Sequence, residues 1–365
     1  MKIALIVYQF IKEKGGVERY VSDLSEQLFN RGHEVHIFAH RFSQDSDKKL
    51  IFHYVPAIAW WSPLKYWTFA VNAPKIIKNT GIKFDIVHGF TQTLFQDIYQ
   101  VGGGCHWDYM MHTYPLMQYM FGRIIMCLNP RHLSLLLLEK KIFKKKCYTQ
   151  IICVSEQCRK ELLHHYKPVT ADIEVVYNGV NTQLFTIQNK LRSNNTIRTK
   201  YSIAPDEILL LFVGSGFKRK GLKHVINALS FLERSIKIKL LVAGKGNVEE
   251  YQRFAKQKGI SDKIIFAGIC KNIQEIYAAG DIFVFPSEYD PFGIACLEAM
   301  ATGLPIIASR SSGISEILRK GEDGFLVNYP IDAKEIANYI HILLDKKIRE
   351  RLGFAARQKS EIYSF

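Results

Sequence analysis

Short apolar runs alternate along this chain with longer stretches whose apolar residues recur every three or four positions, the pattern of strands each followed by a helix. Lys2–Tyr8 is the first run. Gln9–Gly16 reads as a loop ending on a glycine pair, and Val17, Val21, Leu24 and Leu28 then mark one helix face at spacings of four, three and four. Arg31-Gly32-His33 stops that helix, and Glu34–Ala39 is the next strand. Such an order builds a parallel sheet through right-handed crossovers. Asp85–His88 reads as another strand and Ile151–Val154 as the last, with Ser155 placed to cap the helix that follows.

The alternation starts again at Ile208–Val213. A glycine-rich turn follows, then a helix with Leu222, Val225, Ile226 and Leu229 turned inward. Ile238–Ala243, a helix to Lys258, Ile264–Ala267, a short helix Ile273–Ala279 and the strand Asp281–Phe285 repeat the unit. Ile187–Thr199, largely polar, reads as a loop. The pattern predicts an α/β protein with two parallel-sheet domains, 1–172 and 173–348, and a terminal helix over 349–365. A chain of 365 residues gives each domain enough length for its own core.

Composition narrows the partners. At 48% hydrophobic residues the chain is globular. Seven cysteines, an odd number without a C-x-x-C pair, argue against a disulfide framework and for a reducing compartment. The opening apolar run is too short for a signal peptide and reads as the first strand. No apolar run approaches the ~20 residues of a membrane-spanning helix; Ile124–Leu128 and Leu133–Leu138 are separated by Asn129-Pro130-Arg131. A soluble or peripheral protein is expected. The net charge of +15 calls for an anionic partner. The charge is not gathered in a nucleic-acid module, so a membrane surface or a phosphorylated lipid acceptor is expected rather than nucleic acid. Over 106–146, aromatic and aliphatic residues such as Trp107, Tyr119 and Phe121 end on the lysine-rich run Glu139–Lys146. That reads either as an interfacial membrane segment or as a core helix with a solvated basic end. Trp60, Trp61, Tyr66 and Trp67 extend the same character.

The chemistry concentrates in Phe283–Pro305. A buried strand leads into a loop carrying Asp290 and Pro291, and a helix opens near Gly293. Its first amides lack intrahelical partners and lie at the positive end of the dipole, which suits phosphate. Gly293 and Ala295 are small enough for a ligand to reach the backbone there. Glu298 stands further along among Ile294, Cys296, Leu297 and Met300, where a carboxylate is seldom buried without a partner. It could accept both hydroxyls of a ribose diol. Two acids around an anion-binding helix start suggest a nucleotide sugar. The turn Gly214–Gly221 adds three consecutive cations, of which Arg219 grips phosphate oxygens bidentately and Lys220 acts as a point charge.

Other motifs carry less. Gly15-Gly16 lacks G-x-G-x-x-G and fits either a tight turn or a ligand's approach. Asp45-Ser46-Asp47 resembles a metal-binding acid pair but lies in a polar loop, and no H-E-x-x-H or Cys/His cluster is present, so no metal is expected. Asp97, in the segment after the Asp85–His88 strand, is a candidate contact for an acceptor hydroxyl or the reacting sugar, or else a capping acid. His88 reads as a core histidine and His106 as a cleft residue.

The stretch from Asp290, with Pro-Phe-Gly, four residues, then Glu-Ala-Met-Ala-x-Gly-x-Pro, resembles the signature of the retaining glycosyltransferases of family 4; the first acid there is usually Glu and here is Asp290. The resemblance runs from Gly15-Gly16 through Asn178-Gly179 and Arg219-Lys220-Gly221 to Glu298. Val213–Gly221, with Gly89-Phe90 and Asp97-Ile98-Tyr99, is closest to the lipopolysaccharide core glucosyltransferase I enzymes. It implies the GT-B fold, two Rossmann-like domains facing across a cleft. It also implies that Arg219, Lys220 and the amides of Phe292, Gly293 and Ile294 hold a diphosphate. By the same resemblance Glu298 holds the ribose, Asp290 the sugar hydroxyls, the Cys270 region the base and Gly15-Gly16 the donor's phosphate or sugar. Asp97 would lie near the reacting carbon. The implied reaction is metal-free transfer with retention, of a sugar such as glucose, from a UDP-sugar as donor substrate with no cofactor. No protein nucleophile stands out, which agrees with front-face attack. The acceptor would be a lipid-linked saccharide such as the lipopolysaccharide inner core, on the inner face of the cytoplasmic membrane. Other sugars, a capsule or glycolipid acceptor, a sugar-nucleotide epimerase and a basic binding protein without turnover are the rival readings. The family's last helix crosses back to the first domain; here the chain stops at Phe365, so a short or truncated crossover is expected.

Overall fold

The computed structural model describes residues 1–12, 14–42, 49–114, 119–167 and 172–365; the acid pair Asp45 and Asp47 lies outside them. Two compact units result, Met1–Tyr177 and Asn178–Phe365.

In the first unit β1 (Lys2–Ile6) leads through the two-residue β2 (Gln9–Phe10) into α1 (Gly16–Asn30), β3 (Glu34–Ala39), the short β4 (Arg41–Phe42) and β5 (Ile51–Tyr54). Next come α2 (Ser62–Asn79), β6 (Ile86–Gly89) and β7 (Ile98–Val101), then three helices in succession, α3 (His106–Thr113), α4 (Met120–Leu128) and α5 (Pro130–Lys144). β8 (Gln150–Cys153), α6 (Glu156–Tyr166) and β9 (Ile173–Val175) complete it. The sheet order is β5-β3-β1-β6-β7-β8-β9, with parallel pairing and the register Ile3↔Val35 and Leu5↔Ile37. Helices cover both faces, so β1 and β3 are nearly all apolar instead of alternating. The order runs outward in opposite directions from β1 and β6, and the loops leaving those two strands diverge.

The core-helix reading of 106–146 holds for α5. Asn129 caps α5, its side chain accepting from the Arg131 amide at 3.0 Å, and Pro130 starts it. Leu138, Ile142 and Phe143 of α5 are buried in the core with Tyr99 and Ile151. Helix α4 does the reverse: Phe121 is 73% exposed, Leu128 69% and Ile124 54%. Ser155 caps α6 as its sequence suggests, accepting from Cys158 N at 3.1 Å. The unit boundary falls after Tyr177 and not at 172, because β9 pairs with β8 and Val176 N donates to Cys153 O at 2.9 Å.

The second unit holds α7 (Gln188–Lys200), β10 (Ile208–Val213), α8 (Leu222–Ser230), β11 (Ile238–Ala243), α9 (Val248–Gln257) and β12 (Ile264–Gly268). It continues through α10 (Ile273–Ala279), β13 (Ile282–Phe285), α11 (Ile294–Ala301), β14 (Ile306–Ser309) and β15 (Gly324–Val327), and ends in α12 (Ala333–Ile342) and α13 (Lys346–Glu361). Its parallel sheet is ordered β12-β11-β10-β13-β14-β15, so the reversal falls between β10 and β13. The loops leaving those strands are the cationic turn and the Asp290 loop.

Two expectations change here. Residues 188–200 are helical and not a loop: Ile197 and Arg198 are buried, and the Arg198 guanidinium binds Asp281 and the carbonyls of Ala204, Glu207 and Ala279. An arginine carries much of that inward face, which hides it from a search for apolar periodicity. The terminal helix belongs to the second unit: α13 packs on α11, Arg357 donates to the carbonyls of Phe185 at 2.8 Å and Ala301 at 2.6 Å, and Ser364 bridges to Val180.

Candidate active site

The cationic turn is held from below by Phe217, which is buried against Phe212, Tyr251 and Phe266. Gly221 ends the turn at φ +77°, and a Cβ there would lie 1.8 Å from the Pro286 carbonyl oxygen, so only glycine lets this turn approach the β13 loop. The close approach is hydrogen-bonded. The Arg219 carbonyl accepts from Glu288 N at 2.8 Å and from Ser287 Oγ at 3.1 Å. His224 Nε2 meets Glu288 Oε1 at 2.6 Å.

The two loops are also joined by charge. Arg219 donates to the Tyr289 carbonyl at 2.7 Å and lies 3.5 Å from Asp290 Oδ2, while the Lys220 ammonium is paired with that same oxygen. Asp290 is 8% exposed, and its Oδ1 accepts from Phe292 N at 3.2 Å. The Lys220 side chain is 13% exposed, its ammonium 4.7 Å from the Phe285 ring centroid. Burial and then the Arg219 charge push that ammonium well below the usual lysine range, and the Asp290 contact opposes them. Two cations are therefore held side by side in a largely desolvated loop, an arrangement that favours an added anion.

Gly293 follows at φ +99° and starts α11, which no side chain caps. The Phe292, Gly293 and Ile294 backbone thus stands next to the cation pair, with the helix's positive end toward the same place. One turn on, Glu298 is 6% exposed and accepts the Tyr277 hydroxyl at 2.8 Å. Tyr277 is fixed in turn by edge contact with Phe185 at 5.6 Å. Arg219, Lys220, Asp290, Phe292, Gly293, Ile294 and Glu298 all sit on the two loops at the sheet reversal or on the helix that leaves it. Cys270 is placed at the carboxyl end of the edge strand β12, with burial raising its thiol pKa. Tyr277, Ser287 and the His224–Glu288 pair were not legible as site residues. Tyr277 reads simply as one apolar position of a short helix.

The first unit has a cavity of its own, about 240 Å³, at the carboxyl ends of β1, β6 and β7. Tyr8, Gln9, Glu18, Lys65, Gln92 and the Gly102–Gly104 loop line it. Gly15 and Gly16 open α1 beside it. Gly15 is extended, and a Cβ there would press within 2.6 Å of Glu18 Oε2, whose other oxygen accepts from Gln9 Nε2 at 2.7 Å. The glycine thus makes room for an acid and an amide in the cavity wall.

Asp97 does not reach this cavity. It precedes β7, at the amino end of the sheet, where its Oδ2 accepts from Val87 N at 2.7 Å and its carbonyl accepts from Thr149 and Gln150 amides. It is a strut between β6, β7 and β8, the capping role and not the catalytic one. His106 likewise turns its ring to His132 at 3.0 Å. Among the described residues Cys105, Asp108 and Glu161 form the grouping closest to a metal-ligand set. Its Asp108 is already 2.8 Å from His165 Nε2.

With this geometry in hand, the likeness to known proteins is informative. The family model for glycosyltransferase family 4 matches residues 14–184, and that for glycosyl transferases group 1 matches 193–359. The chain belongs to these glycosyltransferases, one family model describing each unit. An uncharacterized glycosyltransferase of Methanocaldococcus jannaschii is 26% identical over 100% of this chain and 94% of its own. The lipopolysaccharide glucosyltransferase WaaG of Escherichia coli is 22% identical over 92% of this chain and 87% of its own. The crystal structure of a WaaG superposes with a TM-score of 0.85, at 20% identity, over 98% of this chain and 95% of that one. Anabaena HepE in complex with UDP-glucose gives 0.74 at 16% identity, over 100% and 96%. The fold is GT-B.

Proposed function

We propose that this glycosyltransferase moves a hexosyl group, glucose in the first instance, from a UDP-sugar to a hydroxyl of a lipid-linked saccharide such as the lipopolysaccharide inner core, with retention and without a metal. The observation that carries the reading is the convergence of Arg219, Lys220 and the Gly293 helix start in front of a buried acid, Glu298. In it, the two cations and the Phe292–Ile294 backbone take the diphosphate and stabilise the charge that builds as the glycosidic bond breaks. Glu298 accepts the ribose hydroxyls, positioned by Tyr277. Asp290 orients Lys220 and presents its remaining lone pairs to sugar hydroxyls, and the Cys270 region borders the base. HepE with UDP-glucose and WaaG by name support the donor and the acceptor class.

The cavity of the first unit, with its amides, acid and aromatic faces, takes the acceptor sugar in this reading. No helix among the described residues is long and apolar enough to cross a membrane. The exposed apolar face of α4, with the basic last turn of α5 in the same unit, suits docking to an anionic lipid surface, where such an acceptor resides.

UDP release from a panel of UDP-sugars tests the donor, with wild type and Glu298→Ala side by side. Release from one sugar, reduced about a hundredfold in the variant, is expected for a residue that makes two charge-assisted hydrogen bonds. Absence of release from every UDP-sugar, with lipid acceptor present, overturns the reading.

A further inference from the structure

Glu139 of α5 is 2% exposed, and three donors converge on its carboxylate. The Tyr166 hydroxyl of α6 reaches Oε2 at 2.6 Å, the His106 amide reaches the two oxygens at 3.3 and 3.2 Å, and Gln92 Nε2 reaches Oε1 at 3.4 Å. His106 is the first residue of α3, and Cys105 before it provides no side-chain cap. An acid on a different helix therefore satisfies the amino end of α3. The Gly102–Gly104 loop leading into His106 lines the first unit's cavity, and so does Gln92. One buried side chain thus holds two of the cavity's walls.

We infer that Glu139 is a positioning residue for this cavity: its ionised carboxylate pins the Gly102–Gly104 loop and Gln92, and its protonation releases them. The groups converging on it are donors, so a proton added there displaces one of them, and the Gln92 contact is the longest. Tyr166 can turn its hydroxyl to accept, whereas the His106 amide cannot. The titratable groups facing the carboxylate are Asp108 and His106 from α3, Tyr166 from α6, Tyr99 from β7 and Cys105 at the loop's end. From α2, packed along α5, Tyr66 enters the same core and Lys65 the cavity. Burial lifts the Glu139 carboxyl to about 7, and His106 is held neutral down to about 4, so the acid changes charge near neutrality while its histidine neighbour does not. The functional weight of the inference rests on the acceptor reading of the cavity.

Hydrogen exchange of the full chain at pH 6 and pH 8, with the intrinsic pH dependence divided out, tests it without reference to turnover. Protection over residues 102–114 is expected to fall about tenfold from pH 8 to pH 6 in wild type, the worth of one hydrogen bond to a charged group. Glu139→Gln, which keeps the shape but does not titrate, is expected to show no such pH effect. Equal protection at both pH values in wild type, or the wild-type pH effect persisting in Glu139→Gln, overturns the inference. In turnover, wild type is expected to lose kcat/KM for the acceptor about tenfold below pH 7 with little change in donor KM, and Glu139→Gln to lack that acid limb. An acid limb unchanged in Glu139→Gln also overturns it. If wild type releases UDP from no donor, the function reading fails and the exchange experiment still decides the role of Glu139.

Discussion

Lys220 and Asp290, seventy positions apart in the chain, form a buried ion pair that joins the loop leaving β10 to the loop leaving β13. The pair belongs to the proposed donor site and to the fold together. Lys220→Met removes the ammonium and leaves the buried Asp290 carboxylate without its lysine partner. A loss of roughly 3 kcal/mol is expected in the urea midpoint, as for other broken buried pairs. UDP-sugar turnover is expected to fall about 10²–10³-fold, the usual cost of one lost electrostatic stabiliser. Unchanged turnover in a folded variant would remove Lys220 from the site.

Two glycines of the same turn make a matched test of the close approach. Gly216 and Gly221 both have positive φ, +79° and +77°, but a Cβ at Gly216 meets nothing within 4 Å while one at Gly221 meets the Pro286 carbonyl at 1.8 Å. Gly216→Ala is expected to cost about 1 kcal/mol from conformation alone. Gly221→Ala should cost more than about 2 kcal/mol and raise the UDP Kd, because the turn must move off the β13 loop. Thermal melts and calorimetric UDP titrations check both; equal effects would mean that the approach carries no weight.

Stability should depend on pH through Glu139. Its folded pKa, about 7, lies above the ordinary carboxyl value of 4.5, so the folded protein holds that proton more tightly than the unfolded chain does. The contribution is therefore complete below 4.5 and is lost as pH rises through 7. At about 1.36 kcal/mol per pH unit it amounts to about 3 kcal/mol as an upper bound. Glu139→Gln should remove this loss: its stability relative to wild type should rise between pH 5 and pH 8.5 in urea melts. A parallel pair of curves would contradict the burial of that carboxylate. Ionisation thus costs stability while it orders the cavity wall.

Membrane docking is separable from donor chemistry. Phe121→Asp combined with Ile124→Asp puts two charges on the exposed face of α4, which contributes no residue to the proposed donor site. Co-sedimentation with vesicles containing anionic lipid is expected at low salt for wild type and to weaken about tenfold or more for the variant, with UDP release from soluble donor unchanged. No co-sedimentation of wild type would sink the docking proposal.

Much of this protein was legible without coordinates. Local apolar periodicity marks α1, α8 and the buried strands because each must cover a sheet face. The cluster at Arg219, Lys220, Asp290, Gly293 and Glu298 stands out because cations between glycines, and an acid amid apolar neighbours, have few purely structural uses. Helix α7 was missed because Arg198 carries much of its inward contact and an arginine does not register as apolar. Asp97 was misplaced for a related reason. An acid near a strand looks the same whether it precedes β7 or follows β6, and only the sheet register shows it bound to the Val87 amide.

The sequence alone therefore determined most of the elements, their alternation and the chemical character of the proposed donor site, since propensity, periodicity and charge are properties of neighbours along the chain. Tertiary structure decided which distant groups meet: Lys220 with Asp290, Glu298 with Tyr277, and Glu139 with His106, Tyr166 and Gln92. These pairings depend on distances across the sheet, and the raised Glu139 pKa depends on burial, which its three hydrogen bonds oppose. Both are set only when the strands take their order in space.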